Sequence, residues 1–252
     1  MGRLEGLGVP ETVEVKMSTA TTPAWLLPAF VREAVAVGAA VPEDDIAEAG
    51  ARLLRRWENP ARRFHDVRHL VELLTRVDEL QQETRLPHCV RLAAWYHGAV
   101  FSSDSEAAYA QRGGEDEDAS AEFARLELRD LGVPDAKIDA VAEMVKGLSR
   151  HSATPDTPDA QVLSDADLAI LAADPQRYKT YLADVREEYA EVPDDRFLRS
   201  RRAIVGKLLA RNRLYTTPLG ATWESQARQN LAAEAARLDK KIAAMSPTAD
   251  AS

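Results

Sequence analysis

The chain has 252 residues, of which 45% are hydrophobic and 29% charged, a composition typical of a globular domain with a sizeable core. Its 41 acidic residues outnumber its 32 lysines and arginines, and the resulting net charge of −9 argues against nucleic-acid binding. The single cysteine, Cys89, excludes a disulfide framework and a cysteine-rich zinc site. No stretch reaches the roughly 18 uncharged apolar residues of a membrane helix, so we expect a cytoplasmic protein without membrane contact.

The composition divides the chain into three parts. Residues 1–21 have no apolar segment of the kind found in secretory signals, and we expect them to form a disordered N-terminal extension. Residues 22–245 are expected to form one helical domain. Residues 246–252 are small and polar, which predicts a frayed tail.

Apolar residues recur at spacings of three and four along most of the chain, the pattern of helices with one buried stripe. The most apolar segment, Val90 to Phe101, predicts a central helix with Pro87 in its first turn. Gly132 predicts a helix stop. Later helices are expected near residues 162–173, 176–191, 194–212 and 222–244. The sequence therefore predicts an all-α bundle of about nine or ten helices.

The common nucleotide-binding and nucleophile motifs are absent from the sequence. It has no G-x-x-x-x-G-K-[ST] phosphate loop, no G-x-G-x-x-G, no G-x-S-x-G and no H-E-x-x-H. Histidines and carboxylates on helices remain, and these residue types form metal sites inside helical bundles.

Three histidines are candidates for such a site. His65 and His69 lie four residues apart and share one helix face, which suits either a metal site or a hydrogen-bonded helix start. His97 lies in the most apolar segment, where an imidazole needs hydrogen-bond partners or a bound ion. Both interpretations stay open for each histidine.

Two carboxylates, Asp165 and Asp167, lie at the predicted opening of a helix. Ser164 and Asp167 fit a capping box, which is a purely structural interpretation. Because the two aspartates point about 200° apart on a helix, only one of them can face an ion well. The sequence does not decide which one.

The charge distribution allows a phosphate-binding cleft. Arginines concentrate between Arg52 and Arg68 and again between Arg196 and Arg213. These two runs can form either solvated helix faces or a cleft that attracts phosphate. His151 follows Lys146 near a predicted helix end, where a cation is favoured by the helix dipole or contacts a phosphate.

Two ion pairs are predicted to be structural. One joins Arg186 and Glu188. The other joins Glu224 and Arg228, which are spaced i,i+4 on one helix face.

In this order, the residues resemble the HD superfamily of metal-dependent phosphohydrolases over about residues 57–238. No single segment is decisive, and the order and spacing of the segments carry the resemblance. The segments are Glu58 to His65 with His69, Ala93 to Phe101, Asp116-Glu117 with Ser120-Ala121, Ser164 to Leu171, Val185 to Tyr189, Leu208 to Tyr215, and Glu224 with Ala227 to Leu231.

The resemblance implies an HD-domain-like helical bundle that hydrolyses a phosphate ester with a metal-activated water. The implied ion is divalent, and Mn, Fe, Mg and Zn are all candidates. Its implied ligands are His69, His97 and Asp167, with Asp165 as the alternative to Asp167. The resemblance also implies two candidate catalytic residues, Glu117 and His151. It implies three candidate substrate contacts, Arg62, His65 and Lys146. Glu117 fits a helix-linking role equally well.

The sequence departs from the family pattern at Gly98, where the family has the aspartate of its His-Asp pair. Because glycine offers no ligand, we expect either a single ion or no ion at all. A single ion would be held by the three remaining ligands, or by these three and a further acid from the Glu115–Asp118 run. The predicted function is hydrolysis of a small phosphorylated molecule such as a nucleotide. The alternative is an impaired HD-fold protein that binds a phosphorylated ligand or a partner without turnover. Either one is compatible with a homo-oligomer.

Overall fold

The computed structural model describes residues 22–102, 114–149 and 157–245. Within these ranges the chain forms ten α-helices and three short 3₁₀ turns, which confirms the predicted all-α bundle. The helices are α1 (Leu26–Val37), α2 (Glu43–Trp57), α3 (Val67–Glu79), α4 (Pro87–Tyr96), α5 (Glu117–Asp130), α6 (Asp135–Leu148), α7 (Pro158–Asp167), α8 (Pro175–Glu188), α9 (Asp194–Leu209) and α10 (Glu224–Met245). Among the described residues, no helix is both long and apolar enough to cross a membrane.

Side-chain caps determine where the helices around the later site begin. The Asp66 carboxylate accepts hydrogen bonds from the backbone N–H groups of Arg68 and His69, which starts α3. Asp116 caps α5 in the same way through the N–H of Ala119. These two caps hold His69 in the first turn of α3 and the acidic residues around Asp116 at the start of α5.

The central helix is shorter than the sequence predicts. Pro87 occupies its first turn as expected, but α4 ends at Tyr96 rather than continuing to Phe101. Beyond Tyr96 the chain turns, and Phe101 pairs with Glu115 in an isolated antiparallel bridge. At this end of α4, backbone carbonyls accept hydrogen bonds from side chains, that of Trp95 from Trp57 Nε1 and that of Gly98 from Arg62. The bridge brings the acidic run before α5 back to the end of α4.

The predicted helix opening at Ser164 is wrong. Thr157 caps α7 by accepting from the N–H of Ala160, and Pro158 follows in the first turn, so the helix begins before residue 162. Asp165 and Asp167 therefore lie in the last turn of α7, and Ser164 forms no capping box. A 3₁₀ turn, Leu168–Ala172, continues the chain toward α8.

The buried apolar residues form two clusters. The larger one is built from α1 to α7 and surrounds α4. The smaller one joins α8, α9 and α10 to Phe64, which precedes α3. Each fully buried large aliphatic side chain contributes roughly 1.5–3 kcal/mol, so these clusters are the main source of stability. His69 and His97 lie where the two clusters approach each other, since Phe64 packs against His69 and Trp57 packs against His97.

The smaller cluster contains a buried ion pair. Arg201 Nε lies 2.7 Å from Glu234 Oε1, and the Tyr178 hydroxyl donates to Glu234 Oε2 at 2.5 Å. The neighbouring Arg202 binds Asp239 on the surface instead. Arg202 thus lies on a solvated helix face, as one of the two interpretations predicts, whereas Arg201 is wrongly placed by that interpretation because it is buried in an ion pair.

Arg201→Met is expected to lower the free energy of unfolding by about 3–5 kcal/mol, because it leaves the buried Glu234 carboxylate without its cation. Arg202→Met on the same helix is the matched control and should change stability little, since its ion pair is exposed. Urea denaturation of both variants measures the difference. Equal losses in the two variants would contradict this account of the cluster.

Candidate metal centre

Four side chains from separate parts of the chain meet between the two clusters. His69 comes from α3, His97 follows α4, Asp167 ends α7, and Glu115 precedes α5. The structure thus brings together His69, His97 and Asp167, as the resemblance implies, and adds Glu115. Among the described residues, His69, His97 and Glu115 form a group whose ligand atoms all lie within 4.8 Å of one another.

The spacing of the donor atoms suits a single ion. His69 Nε2 lies 3.3 Å from His97 Nε2 and 3.4 Å from Asp167 Oδ1. His97 Nε2 lies 3.4 Å from Glu115 Oε1 and 3.8 Å from Asp167 Oδ1. In a tetrahedral site with metal–ligand bonds of about 2.1 Å, neighbouring donors are roughly 3.4 Å apart. These four separations, of the six among the four donors, are close to those that a tetrahedral ion requires.

His97 is held in the protonation state of a metal ligand. Its Nδ1 lies 2.9 Å from the Ala94 carbonyl oxygen, and because a carbonyl only accepts, Nδ1 carries the proton. Complete burial lowers the pKa of His97 to about 4, although the nearby Asp167 acts in the opposite direction. At neutral pH, Nε2 therefore presents an unprotonated lone pair to the centre, the usual arrangement of a ligating histidine.

Burial raises the pKa values of two carboxyl groups at the centre. The pKa of Glu115 lies well above its ordinary range, and the negative charges of Asp167 and Glu117 add to this effect. Among the residues that the structure describes, Glu115 Oε1 is buried and has no hydrogen-bond partner. Burial likewise raises the pKa of Glu117 to about 7. A divalent cation would favour the ionised carboxylates and give Glu115 Oε1 a partner, so the residues present fit a metal ion.

The structure separates the two aspartates between which the sequence did not decide. Asp165 accepts from the backbone N–H groups and the hydroxyls of Thr216 and Thr217, which engage both of its oxygens. Asp167 instead faces His69 and His97. Asp165 thus anchors the loop that precedes α10, and Asp167 is the carboxylate available to an ion.

Trp57 occupies the space beside Gly98 where the family has a carboxylate. A Cβ atom at position 98 would lie 2.5 Å from Trp57 Cη2, too close for any real contact. The indole cannot easily give way, because its Nε1 donates to the Trp95 carbonyl and its ring is fully buried. Glu115 contributes its carboxylate from the opposite end of the Phe101–Glu115 bridge. This is the substitution by an acid of the 115–118 run that the sequence left open.

His65 is oriented by a carboxylate that sequence analysis assigned to another role. His65 Nδ1 lies 2.6 Å from Glu188 Oε2, and its Nε2 lies 3.7 Å from Glu115 Oε1. Glu188 Oε1 accepts from three backbone N–H groups, those of residues 63, 64 and 65. The predicted Arg186–Glu188 pair is wrong, since Arg186 binds Asp194. Its i,i+2 spacing already placed the two side chains on different helix faces.

Among the predicted substrate contacts that the structure describes, Arg62 and His65 lie close to the centre, and Lys146 does not. Arg62 is buried, donates to the Gly98 carbonyl at 2.8 Å, and lies against the rings of Trp57 and Phe101. Lys146 is half exposed and faces Asp118 at 3.7 Å. His151 lies outside the described residues. The Glu224–Arg228 pair forms as predicted, with 2.6 Å between its closest atoms.

A small cleft leads to the centre from the surface. It has a volume of about 110 Å³, and His69 and Asp167 line its inner end. Arg76 of α3 and Arg177 of α8 line its wall, and Arg177 forms a bidentate pair with Glu72 at 2.8 and 3.0 Å. Sequence analysis missed both arginines, because nothing in their local pattern distinguishes them from surface ion pairs.

Gly98→Asp, which introduces the aspartate of the HD pattern, is expected to destabilise the fold by about 1–3 kcal/mol, because its Cβ overlaps the Trp57 ring. Gly147→Asp is the matched control, since a Cβ there meets no atom within 4 Å. Chemical denaturation of the two variants provides the measurement. A Gly98→Asp protein as stable as the wild type would contradict this account, because it would show that the Trp57 ring moves to make room for the new side chain.

Glu188→Gln is expected to cost about 1–3 kcal/mol of stability at pH 7. Burial acts to raise the pKa of Glu188, but His65 and the backbone N–H groups outweigh it and lower the pKa from 4.5 to about 2. The carboxylate therefore stabilises the fold fully above about pH 4.5, and its contribution is lost as the pH falls toward 2. The gap between wild type and variant in urea denaturation should be smaller at pH 3 than at pH 7.

The neighbouring Glu187→Gln is the control for this pH effect. Glu187 forms an exposed pair with Arg63, and its loss should matter little at either pH. A Glu188→Gln gap that is equally large at pH 3 and pH 7 would contradict the assigned role of Glu188.

Comparisons of the chain with protein-family models, with curated proteins and with solved structures find no match. The resemblance to the HD superfamily therefore stays a prediction made from the residues themselves. The geometry of the centre, rather than a known relative, carries the functional argument.

Proposed function

We propose that this protein is a metal-dependent phosphohydrolase of the HD type that acts on a small phosphorylated molecule. The observation that carries the proposal is the approach of His69, His97, Asp167 and Glu115 to one another, in which His97 lies 3.3 to 3.8 Å from the other three and His69 lies 3.4 Å from Asp167. Three of these residues are the ligands implied by the resemblance. The fourth supplies the carboxylate that Gly98 cannot.

The four residues would hold one divalent ion, with two neutral imidazoles and two carboxylates as donors. When bound, such an ion supplies a Lewis acid that activates water and polarises a phosphoryl oxygen. The hydrogen bond from His97 to Ala94 and the capped first turn of α3 hold the two imidazoles in place without the ion. The donors are thus arranged before binding, which lowers the cost of assembling the site.

Glu117 is suited to handle a proton beside the centre. Glu117 is buried, and its burial and the negative charge of Asp167 raise its pKa to about 7. It can therefore accept or release a proton at neutral pH. Its role is that of a general acid or base toward the attacking water or the leaving group. Glu188 keeps His65 oriented toward Glu115 on the opposite side.

The cleft beside His69 limits what reaches the centre. Its volume of about 110 Å³ is well below the roughly 300–1,000 Å³ of a site that encloses a whole drug-sized ligand. We infer that a terminal phosphoryl group enters while the remainder of the substrate stays outside. Arg177 and Arg76 would contact the phosphoryl oxygens by exchanging their carboxylate partners for the substrate.

The test is metal analysis of the purified full chain, together with hydrolysis of a broad panel of phosphate monoesters. Wild type is expected to retain a divalent ion and to show hydrolysis that chelator abolishes. His97→Ala and Glu115→Gln should each weaken metal affinity at least about tenfold. His88→Ala is the control, because His88 forms a half-exposed pair with Glu33 on the surface.

Two outcomes would contradict the proposal. A wild-type chain that holds no metal, even after addition of Mn²⁺ or Zn²⁺, would remove the metal centre. A chain that holds the ion but hydrolyses none of the esters would remove the hydrolase activity and favour ligand binding without turnover.

A further inference from the structure

We propose that the buried Arg62 guanidinium is a permanent second cation of the centre, so that the site binds one divalent ion and pairs it with Arg62 to bind phosphate. This inference rests on the proposed metal centre and deepens it. It states how many ions the centre binds, and it gives the buried side chain beside Gly98 a specific role in phosphate binding.

The space for a bridging side chain at position 98 is occupied by protein. Two-metal hydrolytic centres place their ions about 3.5–4 Å apart and need a bridging carboxylate between them. Gly98 has no side chain, and the Trp57 ring lies where the first carbon of one would stand. A bridging ligand from position 98 is therefore excluded sterically as well as chemically.

Arg62 is held firmly beside this position. Its guanidinium carbon lies 5.3 Å from the centroid of the Trp57 ring and 4.9 Å from that of Phe101. Its NH1 group donates to the Gly98 carbonyl at 2.8 Å. The positive charge of Arg62 thus lies beside the backbone of Gly98, the position at which a bridging carboxylate would be expected.

Arg62 also has unused hydrogen-bonding capacity. Arg62 is only 6% exposed, and its buried Nε has no hydrogen-bond partner in the part of the chain that the structure describes. A buried donor without an acceptor destabilises a fold, and an incoming oxyanion would provide the acceptor. A planar guanidinium matches phosphate oxygens better than any other cationic side chain.

The surrounding charges favour this arrangement. Burial lowers the pKa of Arg62 to about 10, with Glu115 and Glu188 acting against the decrease, so the side chain stays protonated at neutral pH. A fixed positive charge near Glu115 repels a second cation and attracts a phosphoryl dianion. One ion and one guanidinium then provide the charge that two ions would supply elsewhere.

The first test is the stoichiometry of Mn²⁺ bound to the full wild-type chain, measured by calorimetric titration after treatment with chelator. One ion per chain is expected. Two ions per chain would overturn this inference and leave the proposed metal centre standing. No bound ion would overturn both.

The second test measures the affinity for inorganic phosphate at saturating Mn²⁺. Arg62→Met should bind Mn²⁺ at least as tightly as wild type, because a repelling charge is lost, and should bind phosphate at least about tenfold more weakly. Arg62→Lys keeps the charge and should recover part of the phosphate affinity. A folded Arg62→Met protein with unchanged phosphate affinity would overturn the inference.

Arg56→Met is the matched control. Arg56 likewise donates to a backbone carbonyl, that of Ala99, and lies over an aromatic ring, that of Phe123. Its loss should leave phosphate affinity unchanged, and an equal loss from both variants would overturn the specific role of Arg62. If Arg62→Met does not fold, the wild-type stoichiometry and the comparison of Arg62→Lys with wild type decide the question.

Discussion

The hydrogen bond between His97 Nδ1 and the Ala94 carbonyl is the interaction on which the centre depends. It forms within the last turn of α4, and it determines that the other ring nitrogen is unprotonated and faces His69. Complete burial keeps the imidazole neutral. An unprotonated ring nitrogen buried in an apolar core destabilises the fold unless a hydrogen-bond donor or a cation lies opposite it. His69 Nε2 lies opposite at 3.3 Å, and a cation shared by the two imidazoles would satisfy both nitrogens at once.

The loss of a carboxylate at position 98 is linked to two neighbouring features. Trp57 fills the space, and Arg62 donates to the exposed carbonyl of Gly98. The early end of α4 and the bridge from Phe101 to Glu115 then bring a different carboxylate to the histidines. The carboxylate beside the histidines thus comes from another part of the chain, because Glu115, just before α5, lies 3.4 Å from His97 Nε2.

Local signals in the sequence predicted much of the fold. Apolar periodicity predicted the helices, Pro87 the start of α4 and Gly132 the stop after α5. The predicted extent of α4 and the predicted beginning of α7 were wrong, because apolar periodicity shows neither the contacts of distant side chains at the end of α4 nor the threonine cap of α7. Glu188 was assigned to the wrong partner for a related reason. Its true partners lie more than 120 residues earlier in the chain, and such a contact is visible only in three dimensions.

The central claim is that His69, His97, Asp167 and Glu115 share one ion. Anomalous diffraction from crystals of the full chain grown with Mn²⁺ tests it most directly. The account predicts a single peak within about 2.0–2.3 Å of donor atoms from all four residues. A structure of the Mn²⁺-treated protein with no peak between the two histidines, or with Glu115 turned away from a peak that is present, would contradict it.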